Sequence, residues 1–300
     1  MRVELRDIEM FLILAEELHF GRTAARLHVS QARVSQAISR QERRLGAQLF
    51  DRSNRRQTQL TPFGQQLRDD LQPVYAGLLR TMERARLAAQ GITGVLRVGM
   101  LPINAHDYRA YWDTFRTRHP QWKLRIQYAP FNDPFAGLRH GDIDVLVSWL
   151  PVEEPDLTVG PLLIAEPRVL AMATEHELAR HTSVTLEMAG DFQLPDGRNT
   201  PGYWFDAYIP PYSRRGRKIE RRLTVGNNEE ALTLISTGEL VTLYPVHMIR
   251  YGARPDIVYR PVPDVDPLPY AAVWHSESEN DLIRAFARTI RDLGPHPLSE

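Results

Sequence analysis

Cysteine is missing from this chain altogether. That excludes a disulfide framework, a thiolate metal site and a cysteine nucleophile, and it fits a reducing compartment. Lysine is almost missing as well. Only Lys123 and Lys218 stand beside the arginines, a bias that a GC-rich genome explains as well as function does. No apolar run approaches the roughly 18 residues that a membrane-spanning helix needs. The segment Met1 to Phe11 interleaves Arg2, Glu4, Arg6, Asp7 and Glu9 with apolar residues, so it lacks the apolar core and cleavage site of a signal peptide. The expectation is a soluble, cytoplasmic protein that keeps off membranes.

Catalytic patterns are equally scarce. There is no G-x-S-x-G, no G-x-G-x-x-G and no P-loop lysine. "HELARH" (His176 to His181) resembles a zinc-protease motif, but its second histidine falls at i+5. Two histidines share a helix face at i and i+4, so the spacing is one residue too long. No catalytic residue, metal site or cofactor is expected, and the chain does not read as an enzyme.

Net charge is zero over the 300 residues, but it is unevenly spread. Residues 1–62 hold eleven arginines against seven acids, an excess of four. A basic first fifth on a neutral chain points to a separate anion-binding module. Its periodicity is helical. Ile8, Phe11, Leu12, Ala15 and Leu18 follow the i, i+3, i+4, i+7 rule. A short helix fits Gly21 to Leu27. Ser30 is then a good N-cap for a helix whose apolar stripe is Val34, Ala37, Ile38 and Leu45, interrupted by Gln41. Two helices about a tight connection, over about residues 20–39, make a helix-turn-helix. The turn "DRSNRR" and the alternating "QTQLT" read as a basic wing behind it.

A long helix is predicted from Pro62, a favoured first helical residue, to about Gln90. Leu67, Leu71, Val74, Leu78, Met82 and Ala85 recur along it like a coiled-coil seam. Pro73 should bend it or weaken one turn. "GITG" (Gly91 to Gly94) then ends it as a hinge. Beyond, strands and helices alternate. "VLRVGM", "KLRIQY", "DIDVLVSW", "RVLAMA", "LVTLYP" and "YAAVWH" read as strands. Tyr108 to His119, a short helix ending at Gly141, Glu229 to Ser236 and Leu282 to Leu293 read as helices. That order points to parallel α/β sheets. The repeat of the pattern and its late return strand predict two lobes with a cleft between them. The expected division is a DNA-binding domain over 1–61, a linker helix over 62–91 and a ligand domain over 92–300. Lobe I would take about 95–165 and 270–300, and lobe II about 166–269.

"AEELHF", "AARLHVSQ", "ERRLGAQLF", "RSNRR" and "LTPFG" together closely resemble the LysR-type transcriptional regulators. "FRTRHPQWKL", "LRHGDIDVLV", "HELA", "NNEEALTLISTGELVTLYP" and "LIRAFARTIRDL" resemble that family's effector domain more loosely, in its order and spacing. The resemblance spans nearly the whole chain. It implies an N-terminal winged helix-turn-helix, a long linker helix and an α/β, two-lobed, periplasmic-binding-protein-like effector domain. It also implies a homodimer or dimer of dimers (a homotetramer) joined through the linker helices, double-stranded promoter DNA, a small-molecule effector and RNA polymerase as partners. Three departures stand out. Ala32 and Arg33 replace the Pro and small residue that often follow "SQ". Gln41 replaces a usual core Leu. The segment "PGYWFDAYIPPYSRRGRKIERR" fits the family poorly; its basic and aromatic residues suit either an anionic partner or a solvated face.

Base reading requires side chains that match base edges, carried on the early turns of a helix in the major groove. Gln31 suits adenine, Arg33 suits guanine, and Ser35 and Gln36 reach bases or phosphates. The resemblance adds Ala32 to this contact set. Arg40 lies two turns on and suits a phosphate, whereas Arg43 and Arg44 suit a phosphate or plain solvent equally. Arg52, Arg55 and Arg56 of the wing suit the minor groove or phosphates. Arg22 and Thr23 suit the DNA backbone.

The family's ligands lie between the lobes at strand ends. The resemblance thereby selects Leu101, Pro102 and Asn104, then Phe131 and Asp133, then Ser148 and Trp149. Further on it selects Asn199, Thr200 and Pro201, then Asn227, Asn228 and Tyr244. Each of these also suits a turn or cap. Arg198 or His106 would favour a carboxylate, or form a surface ion pair. The alternative function is a periplasmic-type small-molecule binding protein without DNA binding. The basic N-terminal module and the lack of a signal peptide weigh against it.

Overall fold

A computed structural model describes residues 4–51, 58–101, 104–197 and 200–295. The chain forms two compact units, residues 1–89 and 90–300, and each is taken by itself.

The first unit contains α1 (Leu5–Glu17), α2 (Phe20–Arg26), α3 (Gln31–Leu45), β1 (Phe50–Asp51), β2 (Gln59–Leu60) and α4 (Pro62–Ala88). Each boundary has a local cause. The His19 ring accepts from the Arg22 amide and starts α2. Ser30 Oγ accepts from the Arg33 amide at 3.3 Å and starts α3, while Gly46, at φ +73°, ends it. Thr61 Oγ1 accepts from the Gly64 amide, with Pro62 in the first turn of α4. Phe11, Leu14, Val34, Ile38, Leu49 and Phe50 make the buried core, with the Phe11 and Phe50 rings edge to face at 5.8 Å. The two short wing strands pair antiparallel, Phe50 opposite Leu60. Gly64 is there because a Cβ would lie 2.0 Å from the Leu49 carbonyl oxygen. Helix α4 runs unbroken through Pro73; the ring removes one amide donor but does not end the helix.

In the second unit β3 (Gly94–Met100), β4 (Trp122–Tyr128) and β5 (Val145–Trp149) are parallel, with β3 in the middle. Helix α5 (Arg109–Arg118) joins β3 to β4, and the single turn α6 (Ala136–Arg139) precedes β5. Strand β6 (Leu157–Glu166) then leads into β7 (Arg168–Ala173), with only Pro167 between them. That crossover carries the chain from lobe I to lobe II. Lobe II holds α7 (Leu186–Ala189), β8 (Leu194–Asp196), α8 (Gly202–Tyr208), β9 (Arg221–Thr224), α9 (Asn228–Ser236), β10 (Thr242–Pro245), α10 (Met248–Tyr251) and β11 (Ile257–Pro261). The chain returns to lobe I as β12 (Leu268–His275) and ends in α11 (Asp281–Leu293). The lobe I sheet has the order β4-β3-β5-β12-β6. Phe115 of α5 and Phe286 of α11 meet edge to face at 5.6 Å in its core.

The expectation of parallel sheets is corrected in two places. In lobe II, β7 is flanked by β10 and β11, both antiparallel to it. β7 enters from lobe I and β11 heads back toward it, so the chain runs out along one and home along the other. In lobe I, β12 pairs antiparallel with both β5 and β6 for the same reason. Among the described residues, only β8 and β9 make a parallel pair in lobe II.

Candidate nucleic-acid interface and interlobe cleft

Helix α3 divides cleanly by side. Val34, Ala37 and Ile38 are buried in the core, whereas Gln31, Ala32, Arg33, Gln36 and Arg40 are exposed and Ser35 is half-buried. Among the described residues, the Arg33 guanidinium has no protein partner. The Ser30 cap therefore fixes the backbone while leaving the Gln31 and Arg33 side chains in solvent. Gln41, where the family usually has a leucine, donates from Nε2 to the Asp7 carbonyl of α1 at 2.9 Å. Buried Asp7 also draws Arg40 and Arg44 to 3.7 and 3.8 Å. A polar seam thus replaces an apolar contact between α1 and α3.

Other expected DNA contacts are placed differently. Thr23 is fully buried and donates its hydroxyl to the His19 carbonyl at 3.0 Å. It has no surface to offer a phosphate, and the expectation for it is corrected. Arg22 is exposed but bonds Glu17 at 3.1 Å, while Arg26 bonds Glu16 and Glu17. The two guanidiniums beside Glu17 hold its carboxyl below the ordinary carboxylate range. Arg52, Arg55 and Arg56 lie outside the described residues; the strands that flank them are in place.

The seam expected along α4 also splits. Leu67 and Leu71, with Tyr75, pack onto the core of their own unit, so they are internal contacts rather than a free face. Val74 (67% exposed) and Met82 (64%) are bare, and so is Leu79, which the periodic reading left out. Leu78 is half-buried and Ala85 exposed.

In the second unit a cavity of about 130 Å³ opens between the lobes. Of the expected effector residues, Leu101, Phe131, Trp149, Asn227, Asn228 and Tyr244 line it. The others do not. Asp133 is exposed on a turn. Ser148 is buried, donates to the Trp149 carbonyl and accepts from Trp204 Nε1. Thr200 donates to the Gly197 carbonyl, and Pro201 precedes the first turn of α8. Asn104 is fully buried, donating to Asp107 and Glu166. Of the candidate carboxylate partners, His106 is exposed and does not line the cavity. Pro102, Arg198 and Asn199 lie outside the described residues.

The wall is aromatic. Trp149 ends β5 in lobe I, and Trp204 sits on α8 in lobe II. Their rings stack at 3.7 Å, and Trp149 Nε1 donates to the Trp204 carbonyl at 3.0 Å. Tyr208 also stacks on Trp149 at 4.8 Å, and Phe131 contacts both. Burial pushes the Tyr208, Tyr244 and Tyr270 phenols up, so they stay protonated. Tyr244 donates to Asn228 Oδ1 at 2.8 Å. Behind Tyr208 lies buried Arg168, which donates to the Ala207 and Tyr208 carbonyls. Burial pulls its guanidinium down. At the crossover, buried Glu166 accepts from the His247 amide at 3.2 Å and from His247 Nδ1 at 2.8 Å. The neighbouring Asp107 takes Arg250 and Tyr251 of α10 at 3.0 Å each, which ties the lobes a second time.

Sequence reasoning missed Phe205, Tyr208, His247 and Tyr270 in this wall. Two of these sit in the segment that fits the family poorly, where the cluster "GYWFDAY" was the available clue. His176 of "HELARH" accepts from the Leu178 amide and caps a 3-10 turn. Among the described residues no helix is long and apolar enough to cross a membrane, and no group of three or more histidines and acids could hold a metal ion.

Two family models match the chain. Residues 5–65 match the family described as "Bacterial regulatory helix-turn-helix protein, lysR family". Residues 89–295 match "LysR substrate binding domain". The chain is 28% identical to the HTH-type transcriptional regulator TdfR of Cupriavidus pinatubonensis, over 96% of this chain and 98% of that one. It is 34% identical to YnfL, an uncharacterized HTH-type transcriptional regulator of Escherichia coli, over 62% of this chain and 63% of that one. In fold it is similar to the LysR family regulator CbnR, with a TM-score of 0.70 at 21% identity over 97% and 99% of the two chains. CbnR bound to its target DNA matches at 0.67, also at 21% identity.

Proposed function

The chain belongs to the LysR family of DNA-binding transcriptional regulators with an effector-binding domain, and from that premise we propose that α3 reads promoter DNA while a small molecule in the interlobe cleft sets the response. We assign a DNA-binding domain over 1–61, a linker helix over 62–91 and an effector domain over 92–300, a reading that the split into two compact units near residue 90 supports. One observation carries the DNA reading. The first turns of α3 present Gln31, Arg33 and Gln36 to solvent on a capped helix whose other side is core. Gln31 pairs with adenine and Arg33 with guanine in the major groove. Arg40, steered by Asp7, takes a phosphate, and the wing arginines Arg52, Arg55 and Arg56 grip the backbone beside it.

The protein acts as a homo-oligomer in the cytoplasm, joined along the bare part of α4 at Val74, Leu78, Leu79, Met82 and Ala85. Apolar side chains this exposed on a long helix favour burial against a second copy. It regulates RNA polymerase at the promoter and performs no catalysis. The test is a gel shift with DNA upstream of its own gene and of the divergent neighbour. A specific, salt-sensitive complex is expected. No such complex, with specific and nonspecific DNA bound alike, would overturn the reading.

A further inference from the structure

We propose that the interlobe cleft takes an uncharged single-ring aromatic molecule, of which phenol is the simplest, and discriminates against an aromatic carboxylate. The inference rests on the reading of this cleft as the effector site and specifies the chemistry of what enters it.

Size comes first. The cavity measures about 130 Å³, and an apolar cavity of about 150 Å³ admits benzene. There is room for one ring and a small substituent. Shape comes second. Phe131, Trp149, Tyr208 and Tyr270 surround the space, and Phe131 and Tyr270 stand edge-on or tilted to Trp149 at 5.5 and 6.4 Å. Such walls favour a flat guest that stacks on one ring and meets the edge of another.

Charge decides the class. Among the described residues, no arginine or lysine lines the cleft. Arg168, buried behind Tyr208, spends its guanidinium on two backbone carbonyls. His247 lines the cleft, but its Nδ1 and its amide both point at Glu166, which also receives Asn104 Nδ2 at 3.4 Å. Three donors converge on that one buried carboxyl. A carboxylate entering here would shed its water beside the buried Glu166 carboxyl, with no cation lining the cleft among the described residues. A phenol loses far less. It also finds a polar contact in the His247 ring, which lines the cleft and bonds Glu166 through Nδ1. The Tyr244–Asn228 pair offers a second polar contact.

The test is isothermal titration calorimetry on the full chain with phenol and with benzoate. One phenol per chain is expected, bound at least tenfold more tightly than benzoate. Ala231→Leu, which fills the cavity from α9, should abolish phenol binding without loss of the melting transition. Phe131→Leu, which removes one ring from the rim, should weaken it about fivefold. Equal or tighter binding of benzoate would overturn the proposal. So would phenol binding that survives in a folded Ala231→Leu variant, or no binding of phenol at all. The gel shift separates this from the broader reading. A specific DNA complex formed by a chain that ignores phenol removes the ligand class and leaves the regulator standing. Failure to bind DNA specifically removes the regulator, whatever phenol does.

Discussion

The two surfaces proposed to bind DNA and effector are built in opposite ways. The face of α3 is polar, exposed and made by one stretch of chain, with Gln31, Arg33 and Gln36 within two turns of helix. The cleft is aromatic, and its wall comes from residues as far apart as Leu101 and Tyr270. The first surface spends its core-facing side on stability and leaves the other side free for a partner. The second has no such division, because Trp149, Trp204 and Tyr208 hold the lobes together and shape the pocket at once. Substitutions on α3 should therefore separate binding from stability, and substitutions of these stacked rings should not.

The largest effects test that contrast from the side of stability. Gly64→Ala drives a Cβ onto the Leu49 carbonyl, a backbone atom that cannot swing aside. A loss of about 3 kcal/mol or more is expected for the first unit, read by thermal denaturation. Unchanged melting would mean that α4 and the wing are not clamped as described. Glu166→Ala should cost about 3 kcal/mol in the second unit, because it strands the donors of His247 and Asn104 in a buried site. It should also disturb the cleft, since His247 lines it. Lost stability with untouched ligand binding would break the claim that the cleft's two tasks are inseparable.

Arg33→Ala should show the opposite pattern. Affinity for specific DNA is expected to fall by about 1–3 kcal/mol and one base position to relax, with no change in melting temperature. If specific and nonspecific DNA weaken equally, Arg33 is not a base reader.

The smallest effect concerns pH. Arg139 donates to Asp156 at 2.8 Å and holds its carboxyl down at about 2. A carboxyl lowered by folding stabilises the protein above its unfolded value of about 3.9, and the contribution is lost as pH falls from there toward 2. Both side chains are a third or more exposed, so the pair contributes less than about 1 kcal/mol. Asp156→Asn should lower the melting temperature slightly at pH 7 and hardly at all near pH 2. An equal deficit at both would rule out the ion pair as its source.

The same contrast explains how much could be read in advance. The helices of the first unit were legible because a 3.6-residue period and a capping serine act within a few residues. So were most strands, which are short apolar runs. What escaped depends on distance. Nothing local in Leu67 and Leu71 distinguishes them from Val74 and Met82; only the position of α1 decides which leucines it covers. Thr23 looked like a phosphate ligand because its hydroxyl's partner, the His19 carbonyl, is backbone and leaves no mark in the residue types. The reversed strands of lobe II follow from where the chain crosses between lobes. Phe205, Tyr208 and Tyr270 became pocket residues through packing that joins remote segments. Gln41 ran the other way: it broke an apolar stripe, and the structure supplies the reason at the Asp7 carbonyl.

The stacked Trp149 and Trp204 have one more consequence. Two indoles with centroids 3.7 Å apart and planes 16° from parallel absorb as a coupled pair. One belongs to each lobe, so any hinge motion slides one chromophore across the other. The other three tryptophans of the chain, Trp112, Trp122 and Trp274, lie outside this stack. The protein thus carries its own gauge of lobe separation, readable as a split signal in near-ultraviolet circular dichroism without any attached dye.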